Sequence, residues 1–107
     1  MTKTMSHLED KMAEQLDLAK IPYEKEVSVI PGRRFRWDFR VGGPSKRVLV
    51  EVQGAVFVRG GHSTGVGITR DAEKSNLAVL AGWRPLVVTA AHIKSGEALK
   101  WIQEALG

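Results

Sequence analysis

Cysteine is absent from this chain. That excludes disulfides, thiolate zinc sites and cysteine nucleophiles. Long apolar runs are missing as well, so no segment reads as a membrane-spanning helix. The leading MTKTMSHLEDKMAEQ is too polar for a secretory signal. The expectation is therefore an intracellular, cytoplasmic protein. His7, His62 and His92 lack metal-ligand spacing, which argues against zinc. There is no Gly-x-Ser-x-Gly elbow, no internal repeat, no low-complexity run and no linker.

What is there fits one domain, residues 1–107, large enough for a single core. The charge balance is basic: 16 Lys and Arg against 12 Asp and Glu give a net charge of +4. The pI is near 9.7, which favours a polyanionic partner.

The densest signal is the stretch FRWDFRVGGPSKRVLVEVQG, residues 35–54. Two strand patterns, 34–41 and 47–53, flank a turn of Gly42, Gly43, Pro44 and Ser45. In the first, Phe35, Trp37 and Phe39 alternate with Arg36, Asp38 and Arg40. In the second, Val48, Val50 and Val52 form one face, and Leu49, Glu51 and Gln53 the other. Cross-strand neighbours lie about 5 Å apart, so Asp38 and Glu51 can meet. Two carboxylates that close repel unless a cation or a shared proton intervenes. The layout predicts a divalent-metal site of Asp38, Glu51 and the Val52 carbonyl, with Gln53 on the same side. A hard cation such as magnesium takes oxygen ligands and keeps several waters, so this set suffices. The competing reading is a solvated sheet face. Leu49 beside Glu51 points instead to a face covered by a helix.

Around this pair the chain reads in order. Ser6 and Glu9 match a capping box opening a helix, with Leu8, Met12, Leu16 and Ala19 as its apolar stripe. Ile21-Pro22 ends it. Residues 27–30 read as an edge strand, followed by a Pro31-Gly32 turn. After Gln53 comes a glycine-rich loop, 59–67, and then a helix capped by Thr69, with Asp71 and Glu73 in its first turn and Gly82 at its C-terminal cap. Residues 83–89 form a strand, and Ser95 caps a last helix carrying Leu99, Ile102 and Leu106 inward. The predicted class is α/β, an α+β mixed sheet, in the order αβββαβα. Gly65-Val66-Gly67 before a helix has the shape of a dinucleotide fingerprint, but Arg70 stands where its third glycine belongs.

The segments SHLEDKMAEQLDLAKIP, RFRWDF, VLVEVQG, GGHSTGVG and DAEKSNLAVLAGW with RPLVVT resemble the small nucleases of the restriction-endonuclease-like PD-(D/E)XK superfamily, and among them the virus-type replication–repair (VRR-NUC) group. The resemblance covers nearly the whole chain. It implies a helix-flanked mixed sheet and a magnesium-dependent DNA endonuclease, with manganese able to substitute and no organic cofactor. The implied substrate is branched or structured DNA, cut to 5′-phosphate and 3′-hydroxyl ends, and the implied setting is phage-like. Asp38 and Glu51 match the metal-binding acids. Gln53 stands where much of the superfamily has lysine, as is usual in the VRR-NUC group. Lys74, on the following helix, is the substitute cation. Glu9 matches a first-helix acid that holds a metal-bound water, beside its capping role. Arg36, Arg59, His62 and Arg70 are candidate DNA contacts. A domain this small implies a homodimer on DNA. The alternatives are a nuclease-like module that binds DNA without cutting it, and a nucleotide-binding regulatory domain using the Gly65 loop.

Overall fold

The structure is a computed structural model that describes residues 4–54 and 65–107. It is a mixed α+β fold. Among the described residues a four-stranded mixed sheet carries four helices, in the order α1 (Thr4–Leu18), β1 (Tyr23–Val27), β2 (Trp37–Val41), β3 (Val48–Gln53), α2 (Gly65–Leu80), β4 (Arg84–Thr89), α3 (Ala90–Ser95) and α4 (Glu97–Leu106). The strands lie side by side in sequence order. β1 with β2 and β2 with β3 are antiparallel, while β3 with β4 is parallel. The parallel step requires the α2 crossover, because a tight turn cannot return a strand in its own direction.

The alternation of β3 sorts the two layers. Val48, Val50 and Val52 are buried with Met12 and Leu16 of α1, Ile93 of α3, and Ala98 and Ile102 of α4. Leu49 points the other way, against Ala78 of α2. The alternation predicted for β2 fails at one place. Trp37 belongs to the Leu49 layer and Phe39 to the Val50 layer, although they are two residues apart. The paired rungs between β2 and β3 stop at Phe39–Val50. On the other side, Glu26 between the Lys25–Phe39 and Val27–Trp37 pairs has a left-handed backbone, φ 53°. The strand turns over where both neighbours lose regularity.

Other boundaries are corrected too. Ser6 lies inside α1, so it is not the N-cap. The first strand is Tyr23–Val27, not 27–30. It is an edge strand, as predicted. Helix α2 starts at Gly65, so Thr69, Asp71 and Glu73 are past its first turn, and Gly65 and Gly67 are helical rather than a phosphate loop. The last helical region is two helices rather than one. Ser95 ends α3, and its Oγ accepts the Glu97 N–H of α4 (3.2 Å). The order thus carries one more helix than αβββαβα.

The turns explain themselves. α2 closes with the Trp83 N–H on the Ala78 carbonyl (2.9 Å), and Gly82 at φ 91° makes the left-handed step. α1 closes in the same way, with the Ile21 N–H on Leu16 (3.0 Å), but Lys20 takes the left-handed position at φ 61°. Gly42 turns β2 into β3 at φ 82°, and a Cβ there would overlap the Leu106 side chain. Among the described residues no helix is long and apolar enough to cross a membrane.

Gly42→Ala should therefore cost somewhat more than the left-handed strain of about 1–2 kcal/mol, because the tip of the Leu106 side chain must also move aside. Gly43→Ala, at φ 85° with open space around it, should lose only about 1 kcal/mol, from strain. Urea denaturation of the two variants measures the difference, and equal losses would remove the Leu106 contact from the explanation.

Candidate metal and phosphate site

Where the β2–β3 ladder stops, a side chain takes over the backbone bonding. The Val52 N–H donates to Asp38 Oδ2 at 2.7 Å. A strand residue presents its N–H and C=O to the same side. The Val52 carbonyl therefore faces the gap that opens between β2 and β3 beyond Phe39. Glu51, one residue earlier, projects onto the α2 face.

Helix α2 brings Lys74 to that face. Its Nζ donates to Glu51 Oε1 at 2.6 Å, and the pair is mostly shielded, with 19% and 28% of the two side chains exposed. The ammonium also lies 4.9 Å from the centroid of the Trp37 ring. The turned-over Trp37 thus forms an aromatic wall under the cation. A cavity of about 160 Å³ opens here, lined by Trp37, Glu51, Gln53, Asp71, Lys74 and Val87 among others.

Burial pushes the Glu51 carboxyl above its ordinary value of 4.5. The Lys74 hydrogen bond and charge pull it down, and the charges of Asp38 and Asp71 push it up again. Burial wins because Glu51 has one ammonium partner and two like-charged neighbours. Glu51 thus feels two further carboxylates and has one ammonium as its partner. Such a place attracts a further cation.

The donors present suit a hard cation. Asp38 keeps Oδ1, Glu51 keeps Oε2, and the Val52 carbonyl faces the gap. Among the described residues no three His, Cys, Asp or Glu side chains converge as a metal-binding group. A cation here would lean on the carbonyl and on water, as magnesium does.

The structure brings Asp38, Glu51, Val52, Gln53 and Lys74 together at one end of β3. Glu9 is buried, at 8% exposure, on α1, the helix that packs against β3. With Ser6 inside the helix, its capping role falls away. Arg36 is exposed and pairs with Glu26 (3.3 Å) on the sheet edge. Arg70 lies one turn before Lys74 on α2. Arg59 and His62 lie outside the described residues. Trp37 and Phe35 are buried, not free to stack on bases. The sequence reading missed Asp71 as a site residue, because it placed Asp71 in a first turn. The signal was present: Asp71 and Lys74 are three apart, hence neighbours on one helix face.

Comparison of the chain with protein-family models, with curated proteins and with solved structures finds no match.

In the metal-free protein, the Glu51 carboxyl carbon should titrate above 4.5 by NMR. Lys74→Met should move the midpoint further up, and Asp71→Asn should move it down. Because the folded value is raised, Glu51 contributes stability at low pH that is lost as pH rises through the folded midpoint. Wild type should therefore lose ground to Glu51→Gln over that window in urea melts. A midpoint of 4.5 unmoved in every variant would contradict the assigned environment.

Proposed function

We propose that this chain is a metal-dependent endonuclease acting on DNA. The observation that carries the reading is the Glu51–Lys74 pair set beside Asp38 at the point where β2 and β3 part. Two acids, a lysine and a backbone carbonyl at the end of a central strand are parts that metal-assisted phosphodiester hydrolysis can use. The element order supports the restriction-endonuclease-like PD-(D/E)XK reading, with the VRR-NUC group as its nearest resemblance. It runs helix, antiparallel meander, crossover helix, then parallel strand.

Asp38, Glu51 and the Val52 carbonyl would hold magnesium, or manganese in its place. Such an ion, when bound, makes a water more acidic and offsets charge on phosphate. The chain's own residues do the rest. Lys74 is long enough to leave Glu51 for a phosphate oxygen, and Trp37 keeps a favourable surface under it through that motion. Gln53, exposed at the cavity mouth, can donate to or accept from a water aimed at phosphorus. Burial of Glu51 excludes competing water from one side of the cavity. Glu9 stands behind the site on α1 as a further acid. A domain of this size offers little surface to a branched duplex, and the reading includes a homodimer; gel filtration at micromolar protein should give twice the chain mass.

A second reading has an observation of its own. Lys74 already satisfies Glu51 with no metal needed, as a structural ion pair in a non-cutting DNA-binding module would. Cleavage separates the two. Labelled single strand, duplex, flap and four-way junction should be cut with magnesium or manganese and not with EDTA. Asp38→Ala and Glu51→Ala should abolish cutting, and Lys74→Ala should slow it by roughly 10²–10³-fold, the scale of losing one charge-stabilising donor. Binding that persists without cutting under every metal would install the second reading.

A further inference from the structure

One turn of α2 before Lys74, a second concave region is lined by Gly32, Arg33, Arg34, Phe35, Arg70 and Glu73, with a volume of about 280 Å³. We infer that this groove is a binding site for backbone phosphates of nucleic acid, reading charge and spacing rather than base identity. The inference deepens the nucleic-acid part of the proposed function and rests on it.

The groove holds three guanidiniums and one carboxylate. Glu73 is committed to Arg33 at 3.1 Å. Arg34 and Arg70 make no ion pair among the described residues, so their charge is available. Phe35 organises the cluster. The Arg33 guanidinium lies 4.6 Å and the Arg70 guanidinium 5.8 Å from its ring centroid. A guanidinium held against a ring loses less freedom when it binds, and its planar fork matches the oxygens of a phosphate. The ring itself is only 6% exposed, so it cannot serve as a platform for a base. That argues for contacts to the backbone alone, which carry no sequence information.

Position relates the groove to the acids. Arg70 and Lys74 are four residues apart, roughly 6 Å along a helix axis. On one strand of a duplex that is about two phosphates, at ~3.4 Å of axis each. A strand with one phosphate at Lys74 would present the phosphate about two steps along to Arg70.

The test measures binding in EDTA, where no cutting occurs, by fluorescence anisotropy of labelled duplexes of several unrelated sequences. Wild type should bind them alike. Arg34→Ala/Arg70→Ala should weaken binding at least about tenfold, and should flatten the plot of log affinity against log salt by roughly 1.8, the value for two lost phosphate contacts. Arg34→Lys/Arg70→Lys should keep the slope, since the charge remains. Both positions are exposed, and thermal melting checks that the variants fold. An unchanged slope in the alanine variant overturns the groove even if the protein cuts DNA. A reduced slope without cleavage activity upholds the groove while the nuclease reading falls. Strong dependence on sequence, or equal displacement by poly-glutamate, overturns it in favour of base readout or an acidic polypeptide partner.

Discussion

The hydrogen bond from the Val52 N–H to Asp38 Oδ2 is the constraint on which the site depends. Val52 is buried, and a buried N–H without a partner costs about 1–3 kcal/mol. Asp38 meets that need with a side chain where β2 has stopped offering its backbone. The exchange lets the two strands part without leaving an orphan donor. It holds a carboxylate at the gap and leaves the Val52 carbonyl facing the same opening. It also coincides with the turn-over of β2 that sends Trp37 to the α2 layer while Phe39 stays in the other core. One irregularity in one strand therefore supplies an acid, a carbonyl and the aromatic wall beneath Lys74.

Lys74 reaches Glu51 because of how α2 is anchored. At the C-terminal end the clamp is Arg47. Its Nε donates to the Gly82 carbonyl (3.0 Å) and its Nη2 to Ala81 (2.6 Å), and its guanidinium lies 4.4 Å from the Trp83 ring centroid. These bonds satisfy carbonyls that a helix end leaves open. Arg47 adopts a left-handed backbone to do this, φ 58°, and its own carbonyl accepts the Arg84 N–H (2.8 Å). Arg47 thus ties the start of β3 to the end of α2 and the start of β4. Ala78 packs against Leu49 in the last turn of the helix, and the exposed Glu73–Arg33 pair lies nearer the site. The ion pair at Glu51 is therefore a consequence of packing, and it offsets only part of the burial that raises the Glu51 carboxyl.

Much of this was legible in the residues, for identifiable reasons. Period-two alternation holds through β3, where both faces are covered, so the split between valines and Leu49, Glu51 and Gln53 could be read directly. The Gly42-Gly43 turn and the Gly82 cap were legible because left-handed geometry selects glycine. What escaped was tertiary. The turn-over at Trp37 has no local signature. The left-handed positions at Lys20, Glu26 and Arg47 are held by residues that do not advertise them. Glycines at Gly65 and Gly67 read as loop, yet they begin a helix whose first apolar residues, Val66 and Ile68, are exposed, so neither propensity nor burial marks its start. The acid pair was readable from spacing. Asp71 was readable only from its three-residue spacing to Lys74, a signal masked by placing it in the first turn of α2.

Net charge is a poor guide to where a polyanion would sit until the pairing is known. Much of the basicity near the sheet is already spoken for: Lys25 by Asp10, Arg36 by Glu26, Arg40 by Glu24, Arg33 by Glu73. Most of these pairs are exposed and contribute little to stability, but each lowers the field a phosphate would meet. The acids of the site lower it further, which a polyanion would resist without a cation between. On the proposed reading, unpaired guanidiniums close to the acids but not among them would supply the attraction. Arg70, one helical turn from Lys74, and Arg34, which lines the same groove from the segment before β2, meet that condition. On the proposed reading the same helix would separate two tasks along its length: the turn of Arg70 would meet a phosphate backbone, and the next, at Lys74, faces the carboxylates where a cation would sit.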